Sequence, residues 1–146
     1  MMEKERRQAE EVFIRAAARA VETDPVLVDL DAVLDADPLF QQTCAKLDQR
    51  RAETIRGEAL LRGLLIKHLY KWSEQETAEQ VQDSLTLRWF CRLSTQPGPT
   101  ITNVRWAANQ VPAAVLEELA SRVEQANERA KSSPGRLRPT YRQRWR

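Results

Sequence analysis

Apolar residues recur three and four positions apart through most of the chain, which is the spacing of one helical face; the every-second-residue alternation of strands is almost absent. The spacing predicts a first helix over 3–22 with a thin stripe made by Val12, Phe13, Ala16, Ala17, Ala20 and Val21. Asp24-Pro25 and Asp37-Pro38 read as helix starts, because Asp accepts from the free N–H groups of a first turn and Pro suits the first helical position. They bracket a short apolar piece, Val26 to Leu34, and open a helix to about Arg50 that buries Leu39, Phe40, Cys44 and Leu47. A connector over 51–57 ends in Gly57, and Glu58 to Trp72 follows, apolar around so much of its surface that it is predicted to be central. Ser73 and Glu76 have capping-box spacing and start a helix to about Ser84. Shorter helices are predicted over 85–93 and from about Thr100 to Gln110, with a Pro97-Gly98-Pro99 turn between them. Pro112 opens a last amphipathic helix to about Lys131, and Ser132-Ser133-Pro134-Gly135 stops it.

The fold class is therefore all-α: a multi-helix globular domain with an N-terminal helix and a basic C-terminal tail expected to be disordered. The expected organisation is an N-terminal helix over 1–24, a helical domain over 25–131 and the tail over 132–146. Composition agrees, with apolar residues at 42% and four glycines in 146 residues. No apolar run is long enough to span a membrane, and the charged start MMEKERRQAEE is no signal peptide. Cys44 and Cys91 read as free buried thiols of a cytoplasmic protein. No cofactor is implied, and one His with two isolated Cys does not make a zinc site.

Charge changes the picture. Residues 129–146 hold seven basic residues and no acidic one, while residues 1–128 hold 16 basic and 21 acidic. Inside that acidic body the stretch 50–71 has six basic residues (Arg50, Arg51, Arg56, Arg62, Lys67, Lys71) against two acidic ones. Residues 86–106 add Arg88, Arg92 and Arg105 with no acid. Such patches suit contacts to nucleic-acid phosphates, and a solvated surface is the competing reading. The acidic cluster Asp29, Asp31, Asp35 and Asp37 suits helix caps and a solvated face better than a metal. His68 is expected to be packed or half-exposed, and Trp72, Trp89, Phe90 and Trp106 to belong to the core rather than to stack on bases.

The stretch LLRGLLIKHLYKWSEQETAEQVQDSLTLRWFCRL at 60–93 resembles the N-terminal domain of bacterial insertion-sequence DDE transposases of the InsH type. The likeness is carried in order by Lys67-His68-Leu69-Tyr70, Trp72-Ser73, Asp83-Ser84-Leu85 and Arg88-Trp89-Phe90-Cys91, and extends more weakly over about 28–128. It implies a helical domain that binds terminal inverted repeats and dimerises, beside a separate catalytic domain that uses two metal ions. Two departures stand out. Lys71 occupies a position where Gly is common, and the stretch 99–105 is one residue shorter and lacks the usual acidic cap. A one-residue change at a helix start turns the following side chains by about 100°.

With that resemblance the basic residues become candidate DNA contacts: Arg56, Arg62, Lys67, Lys71, Arg88 and Arg92 for phosphates. The helices 74–84 and 101–110 become a helix-turn-helix-like part, with Thr102, Asn103, Arg105 and Asn109 as candidate base readers. Where the resemblance implies the first catalytic strand and its Asp, the chain has RLRPTYRQRWR, without an acidic residue. The expectation is a truncated transposase that is not itself an enzyme. It binds inverted-repeat DNA and pairs with itself or with full-length transposase, and the tail marks a break in the gene or grips phosphates. Two alternatives stay open: a helical protein–protein module with no DNA role, and an enzyme completed by frameshifting downstream of codon 146.

Overall fold

A computed structural model describes residues 2–50 and 55–132. The basic residues of 133–146, and Arg51 with most of the 51–57 connector, lie outside the described residues. Among the described residues there are eight helices and no strand: α1 (Met2–Glu22), α2 (Pro25–Asp35), α3 (Pro38–Gln49), α4 (Gly57–Tyr70), α5 (Glu74–Asp83), α6 (Leu85–Phe90), α7 (Ile101–Gln110) and α8 (Ala113–Lys131).

Side-chain caps explain most of the boundaries. Asp24 accepts from the Leu27 N–H at 3.3 Å, and Asp37 from the Leu39 N–H at 2.9 Å, each followed by Pro. Ser73 and Glu76 form the reciprocal capping box of α5. Ser84 ends α5 and starts α6, accepting from the Leu87 N–H at 3.2 Å. Thr100 opens α7 in a second capping box, in which Asn103 supplies the reciprocal acceptor.

The core forms around α4, whose residues Ala59 to Ile66 are all buried. It touches α3, α5, α7 and α8, while α2 lies along α8. Gly57 permits the tight α3–α4 junction: a Cβ there would lie 2.6 Å from the Cys44 carbonyl oxygen and 2.8 Å from Leu47 Cβ. Its N–H donates to Asp48 Oδ1 at 2.6 Å. Phe40, Leu47, Val81, Leu87, Phe90, Val104, Leu119 and Val123 close around α4.

α1 divides in two. Of the predicted stripe, Phe13, Ala16, Ala17, Ala20 and Val21 are buried or half-buried as α1 rests on α6 and α2, whereas Val12 is exposed. Residues 2–12 are all exposed. At the other end of the fold, Arg122 of α8 clamps the Asp37 cap of α3 with bonds of 2.6 and 2.7 Å. Hydrogen bonds from Arg122 to Asp37 and Glu118 raise its pKa. No helix among the described residues is long and apolar enough to cross a membrane.

Candidate nucleic-acid interface

The basic residues singled out in the sequence fall into two groups. Arg62 is 0% exposed. Its Nη1 donates to Asp31 Oδ1 at 2.8 Å and to the Phe90 carbonyl at 3.2 Å, and its Nη2 donates to Asp35 Oδ1 at 3.0 Å. The guanidinium also lies 5.2 Å from the Phe40 ring centre and 5.0 Å from that of Phe90. Arg92 reaches the same acids, at 2.9 Å from Asp31 and 3.0 Å from Asp35, and 3.5 Å from Glu58. Burial lowers the Arg92 pKa, but Asp31, Asp35 and Glu58 outweigh it, and the net shift is upward. Two cations and three carboxylates thus tie α2, α4 and the end of α6 together.

Arg88 is taken up differently. Its Nε donates to the Ser94 carbonyl at 3.1 Å and its Nη1 to that of Gln82 at 2.9 Å, while its Nη2 donates to the Gln96 carbonyl. Burial lowers its pKa against the opposing pull of Asp83. It braces the loop after α6 against the C-terminal end of α5, where a cation also suits the helix dipole. The expectation that Arg62 faces phosphates is therefore corrected, because it is buried; Arg88 and Arg92 are partly exposed and are bonded to carbonyls and to Asp31 and Asp35.

The exposed group is smaller. Arg56 stands at the N-cap of α4 without a side-chain capping bond, and Lys71 is its exposed left-handed C-cap. Lys67 is half-buried one turn before Lys71. No ion pair involves Arg56, Lys67 or Lys71 among the described residues. Lys67 stands in the last turn of α4 and Lys71 just past it, whereas Arg56 lies about 20 Å away at the far end of that helix. Arg105 of α7 is exposed, and its Nε sits 3.3 Å from Glu74 Oε1, three residues beyond Lys71. Lys71 and Arg105 therefore border one end of the α4–α5 turn.

On α7, Thr102, Arg105 and Asn109 are exposed at a spacing that gives one face. Asn103 is not on it: it is 8% exposed and its Oδ1 accepts from the Thr100 N–H at 2.9 Å, so the base-reading expectation for Asn103 is also corrected. α5 and α7 pack together, but all of α6 and the 91–100 loop intervene, unlike the short turn of a simple helix-turn-helix. The outer side of α5 carries Glu76, Glu79 and Asp83.

The remaining candidates take structural places. Trp72 and Phe90 are buried, and Trp89 and Trp106 pack partly against the core. His68 Nε2 lies 3.0 Å from Glu124 Oε1, linking α4 to α8 at the surface. Asp37 caps a helix, and Asp31 and Asp35 pair with Arg62, Asp35 from a half-exposed position. The signal for that network was present in the chain: Arg62 interrupts an otherwise apolar run, and Asp31 and Asp35 are spaced to share a helix side. Among the described residues no group of three or more His, Cys, Asp or Glu could hold a metal ion.

The fold and these surfaces define a small all-helical domain without an evident reaction centre among the described residues. The family model for the transposase domain DUF772 matches residues 15–105, from the docked half of α1 into α7. The chain belongs to that family, which assigns it a transposition-related role. No curated protein and no solved structure matches the chain.

Proposed function

We propose that the chain is the DNA-binding and pairing part of an insertion-sequence transposase of the InsH type, engaging terminal inverted repeats. The observation that carries this reading is the transposase-domain match over residues 15–105. Lys67, Lys71, Arg105 and the more distant Arg56 support it as outward phosphate contacts, with Thr102 and Asn109 as the polar groups beside Arg105. Asp31, Asp35 and Glu58 hold Arg62 and Arg92 inside, so the contact set is lean.

Fluorescence anisotropy with duplexes taken from the ends of the element, and with shuffled duplexes of equal length, tests the reading. Preference for the end sequence at moderate salt is the expected result. Equal binding to both duplexes, or none, removes it. The alternative of a protein–protein module is favoured by one observation, the wholly exposed stretch 2–12 of α1.

A further inference from the structure

Two surface features left over from the core and from the candidate interface have complementary shape and charge. The first is on α1. Ile14 is 63% exposed, at the edge of the stripe that docks on α6 and α2. Glu10 and Glu11, four and three residues before it, share its side of the helix, and so does the exposed Ala18 four residues after it. The helix thus presents one aliphatic knob beside two carboxylates. The stretch 2–12 ahead of it has no burial to support it, and a segment that short is marginal as a helix by propensity alone.

The second is a cleft of about 90 Å³ between α3 and the α7–α8 junction. Leu39, Leu47, Val111 and Val115 make it apolar, and Lys46 and Arg50 stand with them at the lining. Arg50 is held there by its Nη1, which donates to the Gln110 carbonyl at 2.9 Å. The cleft has room for one branched aliphatic side chain between two cations.

We propose that this cleft receives Ile14 from α1 of a second copy of the chain, with Glu10 and Glu11 meeting Lys46 and Arg50. Glu10 and Glu11 complement Lys46 and Arg50, with Arg7 one turn further from the knob on the same side, and knob and socket belong to the same sequence. In its own chain α1 rests on α6 and α2 rather than on the α3 and α8 walls of the cleft. Reciprocal exchange uses both knobs and both sockets and closes a two-fold dimer instead of an open chain. Pairing also gives residues 2–12 the packing that they lack in a single copy. The proposal rests on the pairing half of the function above and is independent of its DNA half.

Charge reversal tests it. Glu10→Lys with Glu11→Lys, and separately Lys46→Glu with Arg50→Glu, are expected to weaken self-association roughly tenfold or more in sedimentation equilibrium. Mixed in equal amounts, the two variants are expected to pair again, because each arm then meets a cleft of opposite charge in both directions. Ile14→Ser removes the knob without touching charge and is expected to give the same loss. A wild type that stays monomeric at about 100 μM, where micromolar contacts saturate, overturns the proposal. So does a dimer indifferent to these changes, or a mixture that fails to pair, the result expected if the cleft takes a phosphate or a foreign acidic peptide. Ile14→Ser is expected to keep wild-type salt dependence on DNA; absence of DNA binding in the wild type strikes the DNA reading alone.

Discussion

Arg62 shows how a single side chain changes meaning between the sequence and the fold. By charge counting it belongs to a basic patch, but it sits among Leu60, Leu61, Leu64 and Leu65 on a helix buried nearly all round. A guanidinium taken out of water there survives only with partners, which Asp31 and Asp35 supply at 2.8 and 3.0 Å. Removing the guanidinium leaves Asp31 and Asp35 with Arg92 alone. Arg62→Met is therefore expected to lower unfolding stability by about 1–3 kcal/mol, read as a fall in the urea midpoint. Asp31→Asn in the same background is expected to add less than its separate cost; full additivity removes the network from the account.

Cys91 makes a second test of burial. Burial pushes its thiol up to about 12 against the pull of Arg62, Arg88 and Arg92. The unfolded thiol ionises near 9. The stability this group contributes is thus whole below about pH 9 and is lost as pH rises toward 12, by about 1.4 kcal/mol per pH unit. Urea unfolding at about pH 8 and about pH 10.5 is expected to show a smaller decline for Cys91→Ala than for the wild type. Equal declines place the alkaline loss elsewhere.

Helix ends were the most legible elements, because the capping groups are local. Asp24, Asp37, Ser73 and Thr100 act within three residues of themselves, and their helices begin where the sequence puts them. What spacing does not reveal is which exposed-type residue is spent on a cap or a clamp, as Asn103 and Arg88 are. The end of α4 follows a local rule. Lys71 has φ 56° and ψ 43°, and the Trp72 and Lys71 N–H groups donate back to the Lys67 and His68 carbonyls. This is a Schellman ending whose left-handed residue carries a Cβ. Arg92 repeats it after α6 at φ 62°, where its guanidinium is needed by Asp31 and Asp35. No ion pair among the described residues sets such a demand on Lys71. Lys71→Gly is accordingly expected to stabilise the domain by about 1 kcal/mol, seen as a raised Tm. A lowered Tm shows that the lysine makes a compensating contact.

For the molecule as a whole, the question is how many cations remain to meet a nucleic acid. Seven of the ten candidate contacts are basic, and three of those, Arg62, Arg88 and Arg92, are held internally. That leaves Arg56, Lys67, Lys71 and Arg105, and Arg105 already shares Glu74. Each phosphate neutralised contributes about −0.9 to the slope of log affinity against log salt on duplex DNA. Replacing these four residues by Ala is therefore expected to reduce the steepness of that slope by about 3.6, whatever the residues outside the described part contribute, since those are common to both proteins. Counting all seven puts about 6 units of slope in the body of the protein instead. The comparison also separates the functional readings. A slope unchanged by the four substitutions means that these side chains do not touch phosphates, which leaves the pairing surfaces of α1 and the α3–α8 cleft as the working parts of the chain. A reduction near 3.6, accompanied by loss of preference when Thr102 and Asn109 are also replaced, assigns phosphate contact to the cations and base reading to the outer face of α7.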